Sequence, residues 1–133
     1  MIARLALAAA LAATAAIGTA EAGDPWFPGK QSMDSYYTAD GLSLKLIGNR
    51  VLFMDGSQTS FGRDGRVLHQ QSETDPGLPG RYIFRPYGMV CITYDRGDSR
   101  CDTFVRTVGD MVMLTGNGER RKIKGVVRRA EEN

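Results

Sequence analysis

The sequence predicts a mainly β protein: one antiparallel meander of about seven short strands, curled into a small barrel or a bent sheet, with a short N-terminal helix. Short apolar runs recur from residue 49 to residue 127. Asp-Gly and Asn-Gly pairs separate several of these runs, and such pairs favour β-hairpins because both residues tolerate positive φ. The length that follows a predicted leader, 133 − 22 = 111 residues, suits a single domain.

The first 22 residues have the three-part layout of a secretory signal peptide. A positive start containing Arg4 precedes an uncharged apolar run at residues 5–17, and an Ala-Glu-Ala pattern follows at residues 20–22. The apolar run is shorter than the about 20 residues that a membrane-spanning helix needs. We expect cleavage after Ala22, or alternatively after Ala20, and a periplasmic or secreted product. No cysteine lies near the cleavage site, so we do not expect a lipid-anchored lipoprotein.

An irregular arm is predicted between the leader and the β domain. Two prolines and two glycines surround Trp26 and Phe27 there, which argues against a regular element. We expect the two aromatic side chains to hold the arm against the domain. The predicted organisation is a signal peptide at 1–22, the arm at 23–37, an antiparallel β domain at 38–129 and a C-terminal tail at 130–133.

The segment at residues 38–48 has two interpretations. Three leucines alternate with polar residues between positions 42 and 46, which is typical of a strand. Thr38 is a good helix N-cap and Gly48 a good helix stop, which is typical of a short helix. The helix is favoured, although Gly41 inside it is unfavourable.

Tight turns divide the rest of the chain into strand-like runs. Asp55-Gly56 and Asp64-Gly65 follow the first runs, and a loop with two prolines spans residues 71–80. Gly109-Asp110 and Asn117-Gly118 separate the last runs. Strands joined by such short connections are antiparallel neighbours, so the expected sheet is a meander.

The chain has two cysteines, Cys91 and Cys101, on consecutive predicted strands. In an exported protein a disulfide is expected in preference to a metal site or a redox pair. If the cysteines face each other, Tyr94 opposes Asp98 and the hairpin loop between them has three residues, ending in Gly97. Such loops favour a type I turn followed by a left-handed residue, which is a position for glycine. The turn and the cysteine spacing therefore predict the same disulfide.

This loop also contains Arg96-Gly97-Asp98, the tripeptide of an adhesion signal. A tripeptide match has little specificity, and glycine and aspartate are common turn residues. We interpret the tripeptide as part of the turn and not as a receptor-binding motif. Three nearby carboxylates, those of Asp95, Asp98 and Asp102, lack the spacing of a calcium loop and alternate with arginines.

Catalytic chemistry has few candidates in this chain. His69 is its only histidine and lies near the end of a predicted strand. A Ser-His-Asp or Cys-His site would have to use it, and the cysteines are expected to be oxidised. A zinc site would lack ligands, and no glycine-rich phosphate loop opens a helix. We predict no catalytic residue, no metal and no cofactor.

Two groups of residues are candidates for binding. The basic end of the chain either forms a solvated edge strand or recognises an envelope protein or an anionic envelope component. Its residues are Arg120, Arg121, Lys122, Lys124, Arg128 and Arg129. The aromatic residues of the middle strands either fill the core or line a cavity for an apolar ligand. They are Tyr82, Phe84, Tyr87 and Tyr94. The net charge of +2 does not support nucleic acid as a partner.

Short motifs occur in order between residues 44 and 115, among them "LIGN", "FGRDGRV", "GRYIF", "VCITY", "CDTFV" and "GDMVML". With these motifs the chain resembles a family of small secreted or periplasmic proteobacterial β-sheet domains of unknown function, with two cysteines in consecutive strands. The resemblance implies the fold and the compartment and favours a helix before Gly48. It implies no activity.

A non-catalytic binding or accessory role in the periplasm or outside the cell is therefore the predicted function. One alternative is a secreted inhibitor of a hydrolase, since small disulfide-bonded β domains suit that role. A second alternative is a small enzyme that uses His69 inside a cavity. An exposed rigid loop shaped to enter a cleft would favour the inhibitor. If the protein has a cavity, the residues that line it would distinguish a binding protein from an enzyme.

Overall fold

The computed structural model describes residues 25–129, so the predicted signal peptide and the tail at 130–133 lie outside the described residues. Within this range the chain forms nine strands and one helix. Their bounds are β1 Asp34–Tyr36, α1 Ala39–Leu46, β2 Asn49–Phe53, β3 Gln58–Phe61, β4 Arg66–Gln70, β5 Leu78–Arg85, β6 Met89–Tyr94, β7 Ser99–Thr107, β8 Asp110–Leu114 and β9 Arg120–Arg128. No helix between residues 25 and 129 has the length and apolar character to cross a membrane.

Eight strands, β2 to β9, close into an antiparallel barrel. Each of them pairs with the next one along the chain, and β9 pairs with β2 to complete the ring. The predicted mainly β meander is confirmed, and of the two predicted shapes the structure has the barrel. Antiparallel closure gives every strand of the ring a paired strand on each side, which protects a small sheet from pairing with other chains.

Two details of the prediction are corrected. The structure has nine strands where about seven were expected, and the arm predicted as irregular at residues 23–37 contains β1. β7 is longer than β6, whose pairing with β7 ends at Thr103, so β7 leaves an edge free beyond that point. β1 pairs with this edge over Val105–Thr107. A three-residue strand has no alternating pattern to detect, and β1 forms because β7 offers it a partner.

The helical interpretation of the segment before Gly48 is confirmed. Thr38 is the N-cap of α1, and its side-chain oxygen accepts a backbone hydrogen bond of 2.9 Å from the first turn. Leu42 and Leu46 lie one turn apart and are fully buried, whereas Leu44 between them is 84% exposed. Burial therefore follows the helical period and not the alternation that a strand would show.

α1 closes one end of the barrel with Leu42 and Leu46, which belong to the main core cluster. Aromatic rings fill the interior above them. The ring centroids of Phe61 and Tyr82 are 5.1 Å apart and those of Tyr82 and Phe84 are 5.4 Å apart, both in edge-on contact. An eight-stranded barrel is just wide enough for such side chains to fill it.

The predicted disulfide is confirmed. Cys91 and Cys101 oppose each other across β6 and β7, with 4.1 Å between their Cα atoms. The backbone N–H of Tyr94 donates to the carbonyl of Asp98 at 2.8 Å, which leaves the predicted three-residue loop. Gly97 ends that loop with a φ of 113°. The residues that flank Cys91 in β6 face the core, so Cys91 and its disulfide lie on the outer surface of the barrel.

The arm packs across the outer face of β7 and β8, where it covers a second buried cluster. That cluster contains Val105, Val112 and Leu114, with Tyr36 against it. The hydroxyl of Tyr36 donates to the carbonyl of Pro25 at 2.5 Å and accepts from the N–H of Phe27 at 3.2 Å. The ring of Phe27 meets that of Tyr36 edge-on, 5.6 Å between centroids, whereas Trp26 is exposed. Phe27 therefore supports Tyr36, the arm residue that packs on the cluster, and the expectation that Trp26 holds the arm is wrong.

Replacing Gly97 by valine should lower the free energy of unfolding by about 1 kcal/mol or more, because a β-branched residue resists positive φ. No atom lies within 4 Å of the position that a Cβ would take, so the expected loss is conformational and not steric. Urea titration measures it. Gly125→Val is the matched control: a Cβ there also meets nothing within 4 Å, and Gly125 on β9 has no positive φ. Equal losses in both variants would contradict the assigned turn.

Candidate functional site

The two ends of the barrel differ in chemistry. At the end that α1 closes, the inward-facing side chains are apolar. At the opposite end, which we call the mouth, the inward-facing rows of β3, β4, β7 and β9 carry polar side chains. These are Thr59, His69, Arg100, Asp102 and Arg121. Polar groups are tolerated in such inward positions only where they are hydrogen-bonded or reach water, and the mouth supplies both.

The mouth contains a recess of about 490 Å³, whose walls also include Leu78, Tyr94 and Thr115. Below the recess, among the core side chains, the remaining cavity is only about 20 Å³. That volume holds about one water molecule. The barrel interior is therefore core, and the recess is where a ligand finds space.

Arg100 and Asp102 form an ion pair on the mouth side of β7. They are two residues apart, so both side chains point inward. Nε of Arg100 donates to one carboxylate oxygen of Asp102 and Nη2 to the other, each at 2.8 Å. These hydrogen bonds raise the pKa of Arg100. The carboxylate of Asp102 is buried, whereas the guanidinium stays partly exposed, so Asp102 orients Arg100 towards the recess.

Arg121 enters the mouth from β9. Its Nη2 donates to the carboxylate of Asp55 and, at 3.0 Å, to the hydroxyl of Ser57, and the guanidinium lies 4.9 Å from the ring centroid of Phe53. The hydrogen bond from the Ser57 hydroxyl, reinforced by Arg121 against the effect of burial, lowers the pKa of Asp55 to about 2. Within residues 25–129 no hydrogen bond uses Nε or Nη1 of Arg121, so these donors stay available to water or a ligand.

His69 lies in the same polar cluster. Its Nδ1 is 2.9 Å from Oγ1 of Thr59, and its Nε2 is 3.4 Å from the amide nitrogen of Gln71. Burial, followed by the charges of Arg121 and Arg100, lowers the pKa of His69 below its ordinary value of 6.5. The imidazole is therefore neutral at neutral pH. Among the described residues no carboxylate hydrogen-bonds to it, so the orienting member of a catalytic triad is missing.

The aspartates near the disulfide loop each pair with an arginine. Arg66 contacts Asp95 at 2.6 Å and Arg96 contacts Asp98 at 2.5 Å, in addition to the pair on β7. Arg96 also lies 5.4 Å from the ring centroid of Tyr94. The arginine and the aspartate of the tripeptide therefore bind each other at the rim of the mouth. In the part of the chain that the structure describes, no cluster of three or more His, Cys, Asp or Glu side chains could hold a metal ion.

The basic residues near the end of the chain do not form one surface. Arg120 binds the carboxylate of Asp34 at 2.6 and 3.1 Å, and Arg121 faces the mouth. Burial opposes ionisation of Asp34, yet the hydrogen bonds from Arg120 and the Gln31 N–H keep its pKa below the usual value. The remaining four, Lys122, Lys124, Arg128 and Arg129, are exposed. Those four stay candidates for an external partner.

The four aromatic candidates also separate. Tyr82, Phe84 and Tyr94 point into the barrel, the first two in its packed middle and Tyr94 at the floor of the recess. Burial raises the pKa of Tyr94. Tyr87 lies in the turn between β5 and β6, on the outside, where its ring meets that of Tyr36 edge-on at 5.8 Å. Only Tyr94 of the four reaches the recess.

Arg100, Asp102 and Thr59 are site residues that the sequence alone does not mark. A signal was present on β7, because Cys91 and Cys101 pair on the outer surface of the barrel. Residues that alternate with Cys101, including Arg100 and Asp102, must then face inward. Two charged side chains at consecutive inward positions indicate a polar end of the barrel.

Because folding lowers the pKa of His69, the unfolded chain binds more protons as the pH falls below 6.5. The free energy of unfolding should therefore decrease more in the native protein than in His69→Gln between about pH 7.5 and about pH 5. As the chain has one histidine, its NMR titration is unambiguous and should give a pKa below 6.5. A measured pKa at or above that value would overturn the assigned environment.

Arg120→Ala should lower the free energy of unfolding by about 3 kcal/mol, because it leaves the carboxylate of Asp34 buried without its charge partner. The side chain of Asp34 is fully buried and that of Arg120 is 22% exposed. Lys122→Ala on the same outward row is the control and should stay within about 0.5 kcal/mol of the native protein. Chemical denaturation compares the two, and similar stabilities would show that the pair does not hold the arm.

Comparison with known proteins identifies no family for this chain. It matches no protein-family model, no curated protein and no solved structure. The resemblance to small secreted proteobacterial domains therefore stays a prediction. A function for this chain has to be inferred from its own residues, above all from those at the mouth of the barrel.

Proposed function

We propose that this protein is an exported, non-catalytic binding protein that takes a small polar ligand into the mouth of its barrel. The observation that carries the proposal is the difference between the two ends of the barrel. Leucines of α1 close one end, and a recess of about 490 Å³ lined by polar side chains opens the other. Ligand sites commonly have volumes of about 300 to 1,000 Å³ and a few oriented polar groups.

The chemistry of the mouth favours a ligand that offers hydrogen-bond acceptors. Arg100 and Arg121 present guanidinium groups that are held in place by Asp102 and Asp55. Oriented guanidinium groups suit carboxylate, phosphate or hydroxyl oxygens, and their preorganisation reduces the entropy lost on binding. The neutral imidazole of His69 adds a group that can donate or accept.

Binding is better supported than catalysis by the contacts of the polar cluster. The oxygen closest to His69 is the hydroxyl of Thr59, a weak nucleophile without an activating triad. Hydrogen bonds from Ser57 and Arg121 lower the pKa of Asp55 to about 2, so this carboxylate is not poised to exchange a proton near neutral pH. The carboxylate of Asp102 is engaged by two hydrogen bonds from Arg100. A cluster in which every charge has a partner suits recognition.

Export is supported by the Cys91–Cys101 disulfide, since disulfides persist in oxidising compartments such as the periplasm and the extracellular space. The disulfide is partly exposed on the outer surface of the barrel, where a reducing cytosol would reach it. We infer a periplasmic or secreted location, which agrees with the predicted leader.

The mouth can be tested by incubating purified protein with small molecules from a cell-envelope extract and identifying the retained compounds by mass spectrometry. The native protein should retain a small set of polar compounds. The double substitution Arg100→Met/Asp102→Leu removes both members of the ion pair together. No charge is left without its partner, so the stability should be about unchanged. We expect this double variant to retain the same compounds about tenfold less, equivalent to about 1.4 kcal/mol of binding.

Arg85→Met is the matched control, because Arg85 is exposed and lies outside the mouth. Unchanged retention by the double variant, or equal losses in the control, would contradict the proposal. Conversion of a retained compound that stops in His69→Ala would instead support an enzyme. Inhibition of a defined envelope hydrolase, independent of the mouth variants, would support an inhibitor.

A further inference from the structure

The barrel wall has a seam between β8 and β9. The two strands pair only from Val112 with Lys122 to Leu114 with Arg120. Beyond Lys122, β9 pairs with β2, and the register of that pairing shifts between Leu52 and Phe53. A register shift of this kind bends a strand and changes its twist. β9 therefore turns towards β2. The first two residues of β8 consequently have no strand partner on the side that faces β9.

The seam exposes side chains that belong to the interior. Met111 and Ile123 lie on inward-facing rows and pack against the core cluster, yet both are only half-buried. They form part of a groove of about 590 Å³ that reaches from the seam to the outer surface. Met54 and Val108 line the same groove, and both are exposed. The groove therefore combines an apolar floor from the barrel interior with walls in which exposed apolar side chains stand beside polar and charged ones.

Val108 places an exposed apolar side chain beside the groove. The residue is 81% exposed, and its φ of 41° belongs to the two-residue hairpin loop Val108–Gly109 between β7 and β8, in which both residues take positive φ. An apolar ligand in the groove would give that side chain a contact.

The charges around the groove are positive on one lip. Lys122 and Lys124 are exposed, and neither forms a salt bridge within residues 25–129. Arg120 also lines the groove, but its charge is compensated by the buried carboxylate of Asp34. The one acidic residue in the lining is Asp110, on the β8 lip. An anionic group is therefore favoured next to the two lysines on β9.

We propose that this groove binds a single-chain amphiphile with an anionic head, of the fatty-acid carboxylate class. Its tail lies against Met111 and Ile123, and its carboxylate lies at Lys122 and Lys124. An added peptide strand fits less well, because β8 leaves only Asp110 and Met111 unpaired on the side of the groove, fewer residues than a strand needs. The site is separate from the mouth and does not depend on the function proposed for it.

The test uses dodecanoate below its micelle concentration with the purified, disulfide-bonded protein, followed by calorimetry and by amide NMR shifts. We expect saturable binding of dodecanoate with shifts at Met111, Ile123 and their neighbours. Acetate, which lacks the tail, should not bind. Dodecyl maltoside, which lacks the charge, should bind about tenfold more weakly.

Lys122→Gln/Lys124→Gln should weaken dodecanoate binding about tenfold and leave dodecyl maltoside binding unchanged. Met111→Gln should weaken the binding of both amphiphiles, since it makes the floor polar. Lys45→Gln/Arg85→Gln removes two exposed charges elsewhere and is the control, expected to bind like the native protein. Circular dichroism of each variant checks that it is folded.

Four results would overturn the proposal. They are no saturable dodecanoate binding, shifts confined to the mouth, equal affinity for dodecanoate and dodecyl maltoside, and equal weakening in the lysine pair and the control. Because the mouth variants are not used in this test, its failure leaves the proposed binding function of the mouth unaffected.

Discussion

Eight strands close into a ring whose interior is just wide enough for side chains to fill it, and the other features of the fold follow from this closure. Closure fixes which residues of every strand face inward, and the filled middle leaves only about 20 Å³ free. The two ends then have to be completed differently. α1 covers one end with Leu42 and Leu46, while the other end has no helix over it within the described chain and collects polar side chains. The recess at the mouth follows from this asymmetry.

Charge pairing makes the polar end compatible with a folded barrel. Each arginine at the mouth is matched with an aspartate close by, on the same strand for Arg100 and on the β2–β3 turn for Arg121. A buried charge without a partner would cost several kcal/mol, so inward-facing arginines are tolerated only in such pairs. The same pairing orients the guanidinium groups before any ligand arrives. Stability and recognition thus rest on the same contacts.

Whereas charge pairing stabilises the mouth, the pairing of β9 leaves an opening in the barrel wall. β9 pairs with β8 only at one end, over Arg120–Lys122, and the register shift in its pairing with β2 bends it away from the start of β8, which opens the seam. The mouth is polar and lies at one end of the barrel, whereas the groove at the seam has an apolar floor and lies in its side. A polar ligand and an amphiphile would therefore bind without competing for the same residues.

Elements with local sequence signals could be predicted before the fold was known. The turn with Gly97, the disulfide and the helix cap at Thr38 follow from rules that act over a few residues. β1 could not be predicted, because it exists only where β7 extends past β6.

The candidate site was predicted only in fragments. His69 and Tyr94 were noted for their residue types, and Arg121 was assigned to an external basic strand that the fold divides. Which arginines face inward and which aspartates contact them follows from the folded barrel alone, because these contacts join residues as far apart as Asp55 and Arg121. Closure of the ring sets such distances, and no local pattern in the chain encodes them.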